Sequence, residues 1–248
     1  METSEEELQA LAARQARWLE AELAKRGVEL APLPPPTPRR QNIREGSRAG
    51  IRIENVVWCS QLSLTRIDLY ALALRTALFG AELRDTGEHP AVLLRYGSAV
   101  LHVLYADGRL VESGCVTTEE RAPLLHRTLA LLEHLGGLEG LALARSEIVN
   151  VVATATLEQC RVDLYRLDRL PFVEHARGQR VVRYASLAPG ESSALNFIVF
   201  KAHIVASGGR TVAGTRVALE RLLLLLPLRR HQSQRRGSRC RRVVQQSQ

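Results

Sequence analysis

Ile53-Glu54-Asn55-Val56-Val57 returns ninety-five residues later as Ile148-Val149-Asn150-Val151-Val152. The echo continues at the same spacing: Leu62 returns as Leu157, Ile67-Asp68-Leu69-Tyr70 as Val162-Asp163-Leu164-Tyr165, Leu72 as Leu167 and Tyr105 as Phe200. Val111, Ser113 and Gly114 correspond to Val205, Ser207 and Gly208 at a spacing shorter by one, which a single deletion in a turn explains. Many separated matches at one spacing mean that the chain holds two copies of one unit of roughly ninety residues.

Each copy reads as a strand, a short helix, several strands and a long helix. In the first, Ile51 to Ser60 is β-branched and extended, and Asp68 to Leu78 carries Leu69, Leu72, Ala73 and Leu78 at helical spacing. Val92 to Tyr96, Ala99 to Tyr105 and Leu110 to Ser113 read as a meander turning at Gly97-Ser98 and Asp107-Gly108. Thr117-Thr118-Glu119-Glu120 opens a helix with capping chemistry, Leu124, Leu125, Leu129, Leu132 and Leu135 continue it, and Gly136-Gly137 stops it. The second copy is expected to end with a helix over Thr215 to Leu226. In the strand Ala99 to Tyr105 both parities are largely apolar: Leu101, Val103 and Tyr105 on one, Val100, His102 and Leu104 on the other. An antiparallel sheet with two apolar faces needs helices on one and a partner on the other.

Outside the repeats the chain changes character. Residues 5–27 place Leu8, Leu11, Ala12, Trp18, Leu19, Leu23 and Ala24 along an apolar stripe among charges, which predicts one amphipathic helix. It either docks on a partner, lies against the chain's own basic surfaces as an autoinhibitor, or packs on the back of the sheet. Pro32-Leu33-Pro34-Pro35-Pro36-Thr37-Pro38 imposes an extended linker. After Leu228 come seven arginines and no acidic residue, so seven of the eight excess positive charges of the 248 residues sit in the tail. Such a tail either attaches to nucleic acid without specificity or is a solvated terminus. The expected division is residues 1–30 amphipathic helix, 31–50 Pro/Arg-rich linker, 51–140 first repeat, 141–228 second repeat and 229–248 basic tail.

Four scattered cysteines without a CxxC pair suggest reduced thiols rather than a metal site. The acidic start Glu5-Glu6-Glu7 lacks a secretory pattern, and the run Leu222 to Leu226 is too short to span a bilayer. A soluble, unexported protein without a membrane partner is expected, and no cofactor or metal is implied.

Taken together, the duplicated Asn-x-Val strand, the Ile/Val-Asp-Leu helix start and the aromatic-turn-Val-x-Ser-Gly strand pair resemble the TATA-binding protein (TBP) family over about residues 51–228. The resemblance implies an α+β saddle of two direct repeats, with a curved ten-stranded antiparallel sheet and four helices on its convex back. It further implies a transcription initiation factor that grips promoter DNA in the minor groove. Partners so implied are double-stranded promoter DNA, transcription factor IIB-like proteins and RNA polymerase. The implied location is the nucleus or, for a viral protein, the transcription compartment of the infected host cell. All but two of the 34 basic residues are arginine, a bias that suits a GC-rich coding sequence and a large DNA virus.

The family's DNA-contacting positions fall on Asn55, Val57, Val103, Val111 and Ser113, and on Asn150, Val152, Ile198, Val205 and Ser207 in the second repeat. The inner wedging phenylalanines correspond to Tyr105 and Phe200. The outer ones correspond to His89 and to a position near Arg177, with Phe172 as a shifted candidate. Arg95, Arg109 and Arg183 sit where phosphates are met. The loop Phe172 to Arg180, with Glu174 and Arg177, corresponds to the family's partner-binding stirrup. An alternative keeps the saddle as a scaffold that recruits factors or polymerase with little TATA preference. The same half-saddle occurs in DNA glycosylases, but that class requires a helix-hairpin-helix region with a catalytic lysine or aspartate, and this sequence offers only Lys25 and Lys201 with no further domain to hold them. An enzyme is therefore not expected.

Overall fold

The structure is a computed structural model that describes residues 5–30, 32, 49–85, 87–96, 100–158, 160–176, 178–185 and 194–230. The amphipathic N-terminal segment forms α1 (Glu5–Lys25). The first half then runs β1 (Ala49–Leu62), α2 (Leu69–Thr76), β2 (Ala81–Arg84), β3 (Ala91–Tyr96), β4 (Val100–Tyr105), β5 (Arg109–Ser113) and α3 (Thr118–Ala130). The second half runs β6 (Leu143–Leu157), β7 (Cys160–Val162), α4 (Leu164–Leu167), β8 (Val173–Ala176), β9 (Gln179–Ala185), β10 (Ala194–Val199), β11 (His203–Ser207), α5 (Val212–Leu225) and β12 (Leu228–Arg230).

Side chains named by the repeat start the helices. Asp68 caps α2 by accepting from the N–H groups of Tyr70 and Ala71 at 3.1 and 3.0 Å, and Asp163 caps α4 by accepting from the Arg166 N–H at 3.4 Å. Thr117 accepts from the Glu120 N–H at 3.2 Å while the Glu120 carboxylate accepts from the Val116 N–H at 2.8 Å. The second long helix begins earlier than its apolar run suggested. Thr211 accepts from the Gly214 N–H at 3.0 Å, so α5 starts at Val212 rather than Thr215. Beyond Ala130, α3 widens into a π-turn over Leu131–Leu135 and stops at Gly136. At the Asp107-Gly108 hairpin, Gly108 has φ +79°, and a Cβ there would stand 1.8 Å from the Leu64 carbonyl oxygen. Only glycine fits that crossing.

Ten strands form one antiparallel sheet in the order β2-β3-β4-β5-β1-β6-β11-β10-β9-β8, a curved α+β saddle. β1 and β6 lie side by side at its centre, and each half extends outward from them in the same order. Four of the described strands are not signalled by the sequence: β7 and β12 pair in a second, two-stranded sheet, so Arg229 and Arg230 belong to a strand rather than to the basic tail expected from residue 229. β2 was missed, and the segment read as a loop over Phe172–Arg180 is the β8–β9 hairpin at the sheet's edge. The turn at Gly97-Ser98 and the arginine tail beyond Arg230 lie outside the described residues.

The β1–β6 ladder carries two matched irregularities. Register passes from Ile53↔Ala153 to Asn55↔Val152, leaving Glu54 extra, and from Val57↔Asn150 to Trp58↔Ile148, leaving Val149 extra. Glu54 and Val149 are repeat equivalents. Paired bulges bend and twist the two longest strands at the same distance from the centre.

Helices cover one face. In the second half Leu195, Phe197, Val199, Ile204 and Ala206 pack against Leu219 and Leu222 of α5. In the first half Val92, Leu94, Leu104 and Leu110 pack under Leu72, Leu125, Leu131 and Leu132. Leu19 and Leu23 of α1 join that cluster, so α1 lies on the back of the first half. The concave face is left uncovered by it, contrary to the autoinhibitory alternative. Burying Leu23 contributes about 1.5–3 kcal/mol.

The first half also buries polar groups. Arg121 donates to the Glu112 carboxylate at 2.8 and 2.6 Å, and Ser60 donates to it at 2.7 Å. The second half has Thr215, Ala206 and Ala155 at the equivalent places, so fold geometry does not require the charges. Once present, removing either partner leaves a buried charge, a loss of about 3–5 kcal/mol. Above this network, Thr128 Oγ1 stands 2.6 Å from the Tyr96 hydroxyl and 2.8 Å from His102 Nδ1. Burial holds Tyr96 up at about 12 and His102 down at about 4. Phe197 and Leu222 replace His102 and Thr128 in the second half.

The native ring of His102 is therefore neutral, whereas in the unfolded chain it titrates near 6.5. Between those values the unfolded state binds the extra proton, so stability is full above pH 6.5 and falls as pH drops toward 4. His102→Phe is expected to remove a pH-dependent loss on the order of 3 kcal/mol across that window, measured by denaturant unfolding at pH 7.5 and 4.5. Equal pH dependence in the two proteins would count against a neutral buried imidazole.

Candidate nucleic-acid interface

Strand alternation, corrected for the two bulges, sorts the site residues onto one face. Asn55, Val57, Val103, Tyr105, Val111 and Ser113 all lie on the open face opposite the helices, with Asn150, Val152, Ile198, Phe200, Val205 and Ser207, and all twelve are half-buried. The two asparagines sit diagonally at the centre. Asn55 faces Val152 across the ladder and Val57 faces Asn150, so the four side chains form a quartet related by the repeat.

Each asparagine is held by the same bond. Asn55 Oδ1 accepts from the Gly114 N–H at 2.7 Å, and Asn150 Oδ1 accepts from the Gly208 N–H at 2.7 Å. The donor fixes which amide atom is oxygen, because an NH2 group cannot accept. Both Nδ2 groups keep their two protons, and among the described residues no hydrogen bond engages them. The centre of the face thus presents donors only. Gly114 and Gly208 supply those N–H groups at φ +104° and +97°, where a Cβ is disfavoured.

Two matched rows run outward from the quartet. One passes from Asn150 through Val57, Ser113 and Leu101 to Arg95, the other from Asn55 through Val152, Ser207 and Asn196 to Arg183. Arg95 and Arg183 therefore occupy equivalent outer places. Arg183 lies 3.3 Å from Glu174 of β8, an exposed pair of little energetic weight that a stronger anion can displace. Beside the rows, Val103 faces Val111 and Ile198 faces Val205, which makes each half's floor apolar.

The inner aromatics are backed in the same manner on both sides. The Arg109 guanidinium lies 4.5 Å from the centre of the Tyr105 ring, and the His203 ring stacks 4.4 Å from that of Phe200. Arg109 and His203 are repeat equivalents, so each aromatic carries a nitrogen-bearing group against one side.

The outer positions differ from this pattern. His89 lies exposed in the β2–β3 connection, two residues before Ala91, the partner of Tyr105. Phe172 is exposed at the start of the β8–β9 hairpin, Glu174 faces the open side from β8, and Arg177 lies outside the described residues. The structure gathers the twelve central residues and the two row-end arginines, but does not bring His89 or Phe172 onto the sheet. It adds Cys59, Gln61, Thr154, Thr156, Leu101 and Asn196 to the open face. Counting in twos from Asn55 and Asn150 finds the first four. Among the described residues no group of His, Cys, Asp or Glu is arranged to hold a metal, and no helix is long and apolar enough to cross a membrane.

The clamp depends on backbone that only glycine adopts easily. Gly208→Ala is expected to cost about 1–2 kcal/mol through its positive φ and to broaden or shift the Asn150 side-chain amide signals in NMR spectra. An unchanged urea midpoint with unchanged amide signals would contradict the clamp.

A comparison with solved structures finds the TBP of Methanococcus jannaschii, with TM-score 0.54 and 21% identity over 70% of this chain and 95% of that one. No family model matches the sequence. No curated protein matches it at the level of sequence. At that identity the likeness establishes the fold, and the fold of this chain is TBP-like.

Proposed function

We propose that this chain is a TBP-like transcription initiation factor that binds promoter DNA through the minor groove and nucleates an initiation complex. The observation that carries the reading is the pair of clamped asparagines. A·T pairs offer only acceptors in the minor groove, the adenine N3 and thymine O2, whereas G·C pairs add a guanine amino donor. Two outward NH2 groups at the centre match the first pattern and oppose the second. The apolar floor of Val57, Val103, Val111, Val152, Ile198 and Val205 suits sugars and base edges, and Tyr105 and Phe200 suit partial insertion between base steps. Arg95, Arg109 and Arg183 suit contacts with phosphates. Transcription factor IIB-like proteins and RNA polymerase are the partners that this role requires.

The test is affinity for an A·T-rich duplex at fixed salt, comparing the native chain with an Asn55→Asp/Asn150→Asp variant. Each aspartate still accepts the glycine N–H but turns a carboxylate toward acceptors and phosphates. A loss of about 100-fold is expected, from roughly 1–3 kcal/mol per contact; indistinguishable affinities would sink direct groove reading.

A second reading, a scaffold with weak sequence preference, draws on the outer ends of the site. His89 replaces an aromatic wedge there, and Glu174 adds negative charge to the open face. Selection of bound sequences from a random duplex pool separates the two. Enrichment of A·T-rich sites supports the initiation factor, and a pool without enrichment supports the scaffold.

A further inference from the structure

The two halves of the saddle can be compared with each other, and their backs differ in one respect. In the first half α1 lies over the outer side of α3 and its π-turn. Leu19 and Leu23 share a cluster with Ala130 and Leu131, and the Glu20 carboxylate meets the Arg127 guanidinium at 2.7 Å. Beneath α1, Arg127, Ala130 and Leu131 are 4%, 5% and 1% exposed. The caps Thr117 and Thr211 set α3 and α5 in register, which makes Arg221, Leu224 and Leu225 their counterparts.

Among the described residues no helix covers that counterpart. Leu224 is 85% exposed, Leu225 59% and Val217 43%. Arg221 is exposed, with no ion pair among the described residues. Positions 217, 221, 224 and 225 share one helical face, so the exposed groups form a single apolar strip with a cation in it. The repeat has kept the arginine and the leucine that α1 engages in the first half, and has left them bare in the second.

We propose that this face of α5 docks an amphipathic helix of a separate partner protein, one presenting leucine-type side chains four residues apart with a carboxylate beside them. The chain itself displays the chemistry that fits, in Leu19, Glu20 and Leu23. Charge selects among occupants. Arg221 calls for an acidic residue, whereas the sequence after Leu228 has none and carries seven arginines, so the chain's own tail is mismatched. The α1 of a second copy is mismatched for a different reason. It is already engaged in its own first half, where Leu23 is fully buried, and lending it would strip that surface. The site lies on the helix-covered side of the sheet, so it stands or falls apart from the reading of the open face.

A fluorescent peptide of residues 5–27 serves as the acidic amphipathic probe, titrated with the full chain by anisotropy. Saturable binding of one peptide per chain is expected, weakened about tenfold or more by Leu224→Asp or by Arg221→Glu, a change of about 1.4 kcal/mol or more. A peptide carrying Glu20→Arg should regain affinity for the Arg221→Glu chain. Absence of saturable binding, or binding indifferent to both substitutions, overturns the proposal. So does concentration-dependent self-association of the native chain in sedimentation that Leu224→Asp abolishes, which assigns the face to a second copy. Both substitutions are at exposed positions, and matching urea midpoints establish that loss of binding is not loss of fold.

Discussion

The antiparallel ladder between β1 and β6 is the constraint on which the rest of the molecule depends. It is the longest pairing in the sheet and the seam at which the two repeats meet. Its bulges at Glu54 and Val149 shift strand parity, and this places Val56 and Val151 in the core while Asn55 and Asn150 face outward. Slipping the register by one residue would bury the asparagines and expose the valines. The clamp from Gly114 and Gly208 then fixes each amide, so covalent repetition in the sequence becomes a donor pair with matched geometry.

The open and covered faces obey different rules. On the open face the repeats agree in the asparagine–valine quartet, in the serines and end arginines of the rows, and in the character of the apolar floor and the backed aromatics, while Leu101 gives way to Asn196 and Cys59 to Thr154. On the covered face they diverge freely. Glu112 and Arg121 give way to Ala206 and Thr215, His102 and Thr128 to Phe197 and Leu222, and α2 to the single turn of α4. A core accepts many packings of suitable volume. The asparagines and their glycine clamps, by contrast, are kept in both halves.

Much of this was legible in the chain. The repeat spacing names the central asparagines and valines and the caps Asp68 and Asp163, capping chemistry names Thr117, and the Asp-Gly turn names the meander through Asp107-Gly108. Thr211 was missed as a cap because the apolar run after it begins only at Val217-Ala218-Leu219. The β8–β9 hairpin was read as a loop because Val173 to Ala176 offers one β-branched residue among polar neighbours, and edge pairing rather than composition makes it a strand. The bulges were not readable, since a bulge is a property of two strands in register. Nor was the resting place of α1. Its stripe announced a covered face, but the cover is supplied by Leu62, Leu72 and Leu131, distant in sequence. His89 shows the limit of transferring positions by alignment, because loop residues carry no register that places them on the sheet.

The claim that the open face reads the minor groove is tested most directly by blocking one groove at a time. An A·T-rich duplex is either preloaded with a small minor-groove ligand or methylated at purine N7 in the major groove, and the chain's affinity is measured at one salt concentration. Binding should be lost with the minor groove occupied and retained with the major groove methylated. Retention in the first case with loss in the second would contradict the proposal that Asn55 and Asn150 meet the minor groove.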